Sequence, residues 1–438
     1  MFWFIYNFLF TVSYLLILPK FLLRMWRRGG YRKDFLHRLG VYSPDVAKRL
    51  EERRRIWVHA VSVGEIYVAL KFIDEMRSIQ PALSFILSTT TSTGHRIAEN
   101  RLNPVDVLVY FPADFPFVVR RVLDKINPLA LILTEGEIWP NIIHHANKRN
   151  IPVMIINGRL SESSYRGYKL LRIFFNRILN CITAFLVQSD ADRAKLVDLG
   201  VDEKNIKVMG TAKYDVAQFD HEGEAKARTI LQRAGMNGND LIITGGSTWH
   251  GEEAVLLAIY RKLRAKYPNL KLVLVPRHAE RSAEVEAEIR RSGFPYARRT
   301  DLNDNATGAQ LAVDILLVNT TGELKNFYAC SSVIFVGKSL TQHGGQNIIE
   351  PALYAKPIIV GPNMENFLSV VADFTKVRAV IQVKDVAGLE NALNSLLSDV
   401  SVREYCGRMA GSVVNDKKGV TSKSAALVLD ILASARNN

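Results

Sequence analysis

Cysteine is scarce in this chain, and acids are outnumbered by bases. The 438 residues hold only Cys181, Cys330 and Cys406, far apart and without C-x-x-C or Cys/His spacing. That pattern excludes a disulfide framework and a structural zinc, and it fits a reducing compartment. The chain also lacks a Walker A motif, G-x-S-x-G, H-E-x-x-H, and a G-x-G-x-x-G after its first strand, so the corresponding nucleotide, hydrolase and metalloprotease chemistries fall away. No D-x-D-like pair stands out as a metal clamp, although Asp190-Ala-Asp192 opens a helix after Ser189. The simpler expectation is chemistry with no metal and no cofactor. There is no internal repeat and no low-complexity stretch. Against 43 acids stand 57 lysines and arginines, a formal net charge of +14, which implies an anionic partner. The cations are scattered, with no aromatic-interleaved basic motif. Nucleic acid is therefore not expected, and anionic lipid or a phosphorylated substrate is.

A long apolar run is present. Phe2 to Leu18 is interrupted only by Asn7, Thr11 and Ser13, and Pro19, Lys20, Arg24, Arg27, Arg28, Arg32 and Lys33 follow. The cations lie on its C-terminal side, without a basic n-region or a small-residue cleavage site. This argues against a signal peptide and for an uncleaved anchor, residues 1–28, with the remaining chain held in the cytoplasm. Seventeen residues is at the short limit for a span. Trp3, Tyr6, Tyr14 and Trp26 suit an interface, so spanning and in-plane insertion both stay open.

Behind the basic stretch, apolar strand-like runs alternate with amphipathic segments. They are Ile56 to Val63, Phe85 to Leu87, Val105 to Tyr110, Leu129 to Leu133, Val153 to Ile156 and Phe185 to Val187. A second series runs Leu241 to Thr244, Leu272 to Val275, Ile315 to Val318, Val333 to Val336 and Ile358 to Val360. Strand and helix in alternation predict an α/β protein of parallel sheets. At this length two domains are expected, 29–212 and 223–415, joined by a hinge at 213–222. A C-terminal helix, 416–438, crosses back onto the first domain in this reading. Two such domains facing across a cleft would hold a ligand at the carboxyl ends of their strands.

The polar motifs fall at those ends. Val333-Ile-Phe-Val-Gly-Lys-Ser-Leu-Thr-Gln-His-Gly-Gly-Gln-Asn-Ile-Ile-Glu-Pro351 is a buried strand passing through Gly344 and Gly345 to a helix expected to start near Gln346. Paired glycines and a helix start suit a phosphate, and Glu350 is placed to accept from ribose hydroxyls. Gly246-Ser-Thr-Trp-His250 is read as opening a helix after the first strand of the second domain, with Ser247 and Thr248 available to a phosphate or base edge. Val275-Pro276-Arg277-His278 puts a guanidinium where it can meet a phosphate or carboxylate bidentately. Glu323 stands in the first turn after a third strand, and Lys213 falls in the hinge. In the first domain, Ser62-Val-Gly-Glu65 follows the first strand; Glu65 can take a proton from an attacking hydroxyl, and a first-turn Glu that merely complements the helix dipole is an equally ordinary reading. Thr134-Glu135-Gly136-Glu137 repeats the placement after the fourth strand.

These residues in this order resemble the Kdo (3-deoxy-D-manno-octulosonate) transferases of lipopolysaccharide assembly, glycosyltransferase family 30. The likeness covers nearly the whole chain: the N-terminal anchor, His59-Ala-Val-Ser-Val-Gly-Glu65, the Glu-x-Glu-x-Trp element at 135 to 139, Asn157-Gly-Arg-Leu-Ser161, Lys213, Val275-Pro-Arg-His278 and Gly344-Gly-Gln-Asn-Ile-Ile-Glu-Pro351. The resemblance implies a GT-B fold of two Rossmann-like parallel-sheet domains and an inverting transfer of Kdo from CMP-Kdo to a lipid A precursor (lipid IVA) at the cytoplasmic leaflet of the inner membrane. It implies Glu65 as catalytic base and Glu135 as a second catalytic carboxylate. Around the donor it implies Lys213, Ser247, Thr248, Pro276, Arg277, Glu323, Gly344, Gly345, Gln346, Asn347 and Glu350. Ser62, Thr93, Glu137 and Arg159 are candidate acceptor contacts. Two departures stand out: Gly-Thr-Ala-Lys213 in place of Gly-Asn-Leu-Lys, and a glycine between the acids of the fourth-strand motif. Alternatives are a GT-B glycosyltransferase or epimerase acting on a UDP-sugar, and a non-enzymatic binder of anionic lipid.

Overall fold

Fourteen short strands form two separate seven-stranded sheets, every pairing parallel. The structure, a computed structural model, describes residues 2–28, 34–302 and 311–437. The chain divides into two compact units, residues 1–216 with 418–438, and residues 217–417.

In the first unit β1 (Ile56–Ala60), β2 (Phe85–Thr89), β3 (Val107–Tyr110), β4 (Ala130–Thr134), β5 (Val153–Gly158), β6 (Ala184–Val187) and β7 (Ile206–Val208) lie in the order β3-β2-β1-β4-β5-β6-β7. Helices cover both faces, so strand side chains of either parity are buried. Trp57, Ile86, Leu131 and Phe185 pack into the core on one face, and Val58, Leu87, Ile132 and Leu186 into that on the other. The second core includes Ala425 and Val428 of the C-terminal helix Val420–Asn437. That helix is latched at its start by Asp215, whose carboxylate accepts from the Gly419 and Thr421 amides at 2.6 Å each and from the Thr421 hydroxyl at 2.8 Å.

In the second unit β8 (Leu241–Thr248), β9 (Leu270–Pro276), β10 (Tyr296–Arg298), β11 (Ile315–Leu317), β12 (Val333–Val336), β13 (Ile358–Val360) and β14 (Ile381–Gln382) follow the order β10-β11-β9-β8-β12-β13-β14. Its two cores divide by the same parity, with Ile243, Leu272 and Phe335 on one side and Ile242, Val273 and Leu316 on the other.

Two elements differ from the sequence reading. Gly246–His250 does not open a helix: β8 runs on through Thr248, and the next helix is Glu252–Lys266. Gly245 and Gly246 read as breakers, yet they hold the strand flat against neighbours that any side chain would meet, since a Cβ on Gly246 would come within 2.1 Å of the Tyr328 hydroxyl. The helix expected near Gln346 begins at Ile349 and is only Ile349–Leu353. Residues 344 to 348 form a loop instead, because Gly344 and Gly345 take φ of 116° and 68°.

The N-terminal helix Phe2–Arg28 lies on the first unit. Trp3, Tyr6, Asn7, Phe10 and Tyr14 repeat at helical spacing and face the body. The Trp3 ring sits 4.1 Å from that of His144, Phe10 and Tyr14 each pack edge-on against Phe115, and the Tyr6 hydroxyl donates to buried Asp114 at 2.8 Å. Phe4, Phe8, Leu9, Leu15 and Leu16 point away and are exposed. Among the described residues no helix is long and apolar enough to cross a membrane.

Candidate active site

The strand order turns between β1 and β4 in the first sheet and between β8 and β12 in the second, where β10 also lies outside β11 at the edge. The crevice at the carboxyl ends of such a strand pair is where open parallel sheets bind ligands. The polar motifs of the sequence flank both places.

In the first unit, β1 ends at Ala60 and the chain turns into the helix Val63–Ile79 through a capping box. The Ser62 hydroxyl accepts from the Glu65 amide at 3.3 Å, and Glu65 Oε1 accepts from the Ser62 amide at 3.2 Å. Glu65 Oε2 accepts from the Val61 amide at 3.0 Å. The Thr134 hydroxyl, at the end of β4, lies 3.0 Å from the same oxygen and 2.9 Å from the His59 carbonyl. Glu65 thus has the capping role that one reading of the sequence gave it. It caps its helix, and the cap holds a buried carboxylate fixed at the switch point.

Glu135 follows directly, with a left-handed φ of 55°. A non-glycine residue held there is uncommon, and such strain concentrates at functional sites. Its Oε1 accepts from Asn157 Nδ2 at 3.3 Å, and Asn157, itself at φ 51°, also receives the Ala212 amide on Oδ1 at 3.0 Å. Burial, then the charge of Glu65, raises the Glu135 pKa, against the pull of Lys213 and Arg159. Glu137 is pushed up to about 7, first by burial and next by Glu65; the Trp139 indole N–H, 2.9 Å from its Oε2, opposes the shift. Lys213, expected at the donor, opens the short helix Lys213–Val216 in the first unit, where burial lowers its pKa and Glu135 raises it. The switch point therefore gathers Glu65, Glu135, Glu137, Lys213 and Arg159. Crowded carboxylates out of water favour retaining a proton. Thr93 lies exposed in the first turn of the helix Ser92–Glu99, after β2 at the same sheet edge.

In the second unit, Ser247 takes a φ of 53°, and the β8–β9 register shifts between Gly246 and Thr248, which pairs with Pro276. Among the described residues the buried Thr248 hydroxyl has no hydrogen-bond partner. The Arg277 amide donates to the Thr248 carbonyl at 3.0 Å, and its side chain is exposed. Beyond β12 the loop is organised by a residue the sequence reading missed. Glu252, fully buried, accepts from the amides of Trp249 (2.9 Å), Lys338 (2.8 Å), Ser339 (3.0 Å) and Leu340 (3.0 Å). Its only signal was an acid directly after Gly251. Gly345 donates to the Lys338 carbonyl at 2.9 Å, and a Cβ there would meet Met364 Sδ at 2.5 Å. Gln346 is half-buried in this loop. Asn347 accepts from the Ile349 amide at 3.0 Å and donates to Glu350 at 3.3 Å. Burial raises the Glu350 pKa, while Lys325 and Arg277 draw it down. Glu323 differs from the rest: Arg299 donates to its Oε1 at 3.1 and 3.2 Å and Thr320 to its Oε2, so its carboxylate fastens a turn.

Two parallel-sheet α/β units, each with polar groups at its switch point, are consistent with the GT-B fold. The glycosyltransferase of Rickettsia africae has a similar fold, at TM-score 0.59 and 13% identity over 88% of this chain and 100% of that one. The profile of the 3-deoxy-D-manno-octulosonic-acid transferases (kdotransferases) matches residues 33–216. The 3-deoxy-D-manno-octulosonic acid transferase of Haemophilus influenzae is 31% identical over 91% of this chain and 94% of its own length. That of Bordetella pertussis is 30% identical over 95% and 97%. The chain belongs to this family of Kdo transferases, and it is an enzyme.

Proposed function

We propose that the chain transfers Kdo from CMP-Kdo, with inversion, to a hydroxyl of a lipid A precursor. The observation that carries this is Glu65, a buried carboxylate fixed by three hydrogen-bond donors beside Glu135, Glu137 and Lys213. A general base must be held where the proton leaves, and a capping box does so without spending conformational entropy at the moment of reaction. The acceptor hydroxyl gives its proton to Glu65 as its oxygen bonds to the anomeric carbon of Kdo. CMP departs with the bonding pair. The positive charge of Arg277 and the hydroxyls of Ser247 and Thr248 suit the departing phosphate, and Glu350 suits the ribose. Lys213 and Arg159 supply positive charge for the acidic groups of sugar or acceptor. Glu137, raised to about 7, is partly protonated at neutral pH and in that form can donate a hydrogen bond to the acceptor.

The acceptor is a lipid, and the N-terminal helix supports a place at the cytoplasmic face of the inner membrane. Its inner face is tied to the first unit while Phe4, Phe8, Leu9, Leu15 and Leu16 stay exposed. Leu170, Leu171 and Ile173, on the neighbouring helices Glu162–Leu170 and Arg172–Leu179, are exposed beside Arg166, Lys169 and Arg172. An apolar face rimmed by cations matches insertion in the plane of an anionic leaflet rather than across it.

The test is transfer of labelled Kdo, from CMP-Kdo generated in place, to a tetraacylated lipid A precursor with EDTA present. Product is expected. Absence of product together with no stabilisation by CMP, and stabilisation by UDP in its place, would overturn the donor assignment.

A further inference from the structure

The amino edge of the second sheet carries a feature that the transfer reaction does not use. A cavity of about 370 Å³ opens there, lined by the residues that lead into β8, β12 and β13 and by the helices His221–Arg233 and Val400–Lys417. It lies at the other end of the strands from Thr248, Arg277 and Gly345, so it is not the donor site. Three cations line it: Arg228, Lys356 and Arg403.

Their charges are unequally compensated. Arg228 pairs with Glu224 at 2.7 Å. Arg403 donates to the carbonyls of Leu396 and Leu397, at 2.9 and 3.4 Å, which carry no full charge. Glu404, on the cavity wall, is drawn to Arg408 at 3.4 Å. Lys356 is half-buried and, among the described residues, has no ion-pair partner. Burial lowers its pKa, and the charges of Arg228 and Arg403 lower it further; Cys330 and Glu224 act in the opposite sense. Withdrawing an ammonium from water beside two guanidiniums is unfavourable unless an anion joins them. The Ser331 and Ser332 side chains that also border the cavity are already committed, to Phe327 and Thr244 and to the Ile242 amide. Asp240, the other acid on the wall, accepts from the Asn237 amide at 2.6 Å, so three cations face two carboxylates and the wall keeps an excess of positive charge.

We propose that this cavity is a second ligand site, which binds a small phosphomonoester through Lys356, Arg228 and Arg403. The volume exceeds an inorganic phosphate and matches a phosphate carrying a sugar-sized group. A phosphate spreads its charge over three oxygens and so can meet all three cations together.

The test is titration of the full-length protein, saturated with CMP, with glucose 1-phosphate, and with glucose as the uncharged control, read by calorimetry and melting temperature. Glucose 1-phosphate should bind and raise the melting temperature beyond the CMP effect, and glucose should not. Lys356→Met should weaken this binding more than tenfold, Lys356→Arg should restore most of it, and both should bind CMP as the unsubstituted chain does. Because Met removes a poorly solvated charge, the unliganded Lys356→Met protein should melt no lower than the original. A short-chain phosphatidic acid in place of glucose 1-phosphate separates sources: tighter binding assigns a lipid headgroup, weaker binding a soluble metabolite, and either keeps the phosphomonoester site. Loss of the glucose 1-phosphate signal at saturating CMP would assign it to the donor site. That result, no binding at all, or binding unchanged in Lys356→Met would overturn the proposal.

Discussion

At the scale of single residues, the first switch point combines one carboxylate held by three hydrogen-bond donors with one that titrates near neutral pH. Glu137 has a folded-state pKa near 7 against an ordinary value of 4.5. Raised in the fold, it contributes stability that is fully present below about pH 4.5 and is lost as pH rises through 7. Asp114, buried among the Tyr6 hydroxyl and the Asn141 and Ile142 amides, is also raised to about 7, chiefly by burial, and acts with the same sign. The melting temperature should therefore fall between pH 5 and 8. Glu137→Gln, which mimics the protonated form, should flatten that fall by about 1–2 kcal/mol, discounted for the partial exposure of the site. An identical pH slope in the two proteins would contradict the account. Glu65, Glu135 and Glu350 were legible as acids at strand ends. Two of the partners that hold them were not, because Thr134 and Asn157 come from strands distant in sequence from Glu65 and Glu135.

At the scale of elements, strands buried on both faces announce themselves as continuous apolar runs, and β1, β4, β5, β12 and β13 were all legible that way. The edge strands β7, β10 and β14 hold three residues or fewer, too few to show a period. The extension of β8 was hidden by glycines, which signal a turn and here serve close packing against Tyr328 and Leu256. The N-terminal helix read as an anchor whose mode of insertion stayed open, and the proposal of in-plane insertion rests on its docked and exposed faces. Replacing Phe8 and Leu16 with Asp leaves Tyr6, Asn7 and Phe10 to hold the helix on the body. It also removes two side chains each worth about 1.5–3 kcal/mol when buried in lipid. Flotation with anionic vesicles should drop more than tenfold while the melting temperature holds. Equal flotation would remove the helix from the membrane contact.

At the scale of the molecule, two parallel sheets gather polar groups at a switch point, β1/β4 in one and β8/β12 in the other. The alternation of strand and helix made this class readable from the chain, and the ordered motifs narrowed it to one family. The chain suggested that its C-terminal helix returns to the first unit; what it could not show is the latch at Asp215, since that contact joins residues some two hundred positions apart. The division of labour in the account rests on one group. Glu65, proposed to remove the proton, belongs to the first unit; the residues proposed for the nucleotide belong to the second. The most direct measurement is a side-by-side determination of Kdo transfer rate and CMP affinity for Glu65→Gln. The account predicts a rate lower by roughly 10²–10⁴ with CMP affinity unchanged, and a lowered melting temperature, because the Gln NH2 faces a backbone N–H that a Glu65 oxygen accepted. A variant that keeps most of its turnover, or one that loses CMP binding along with turnover, would contradict it.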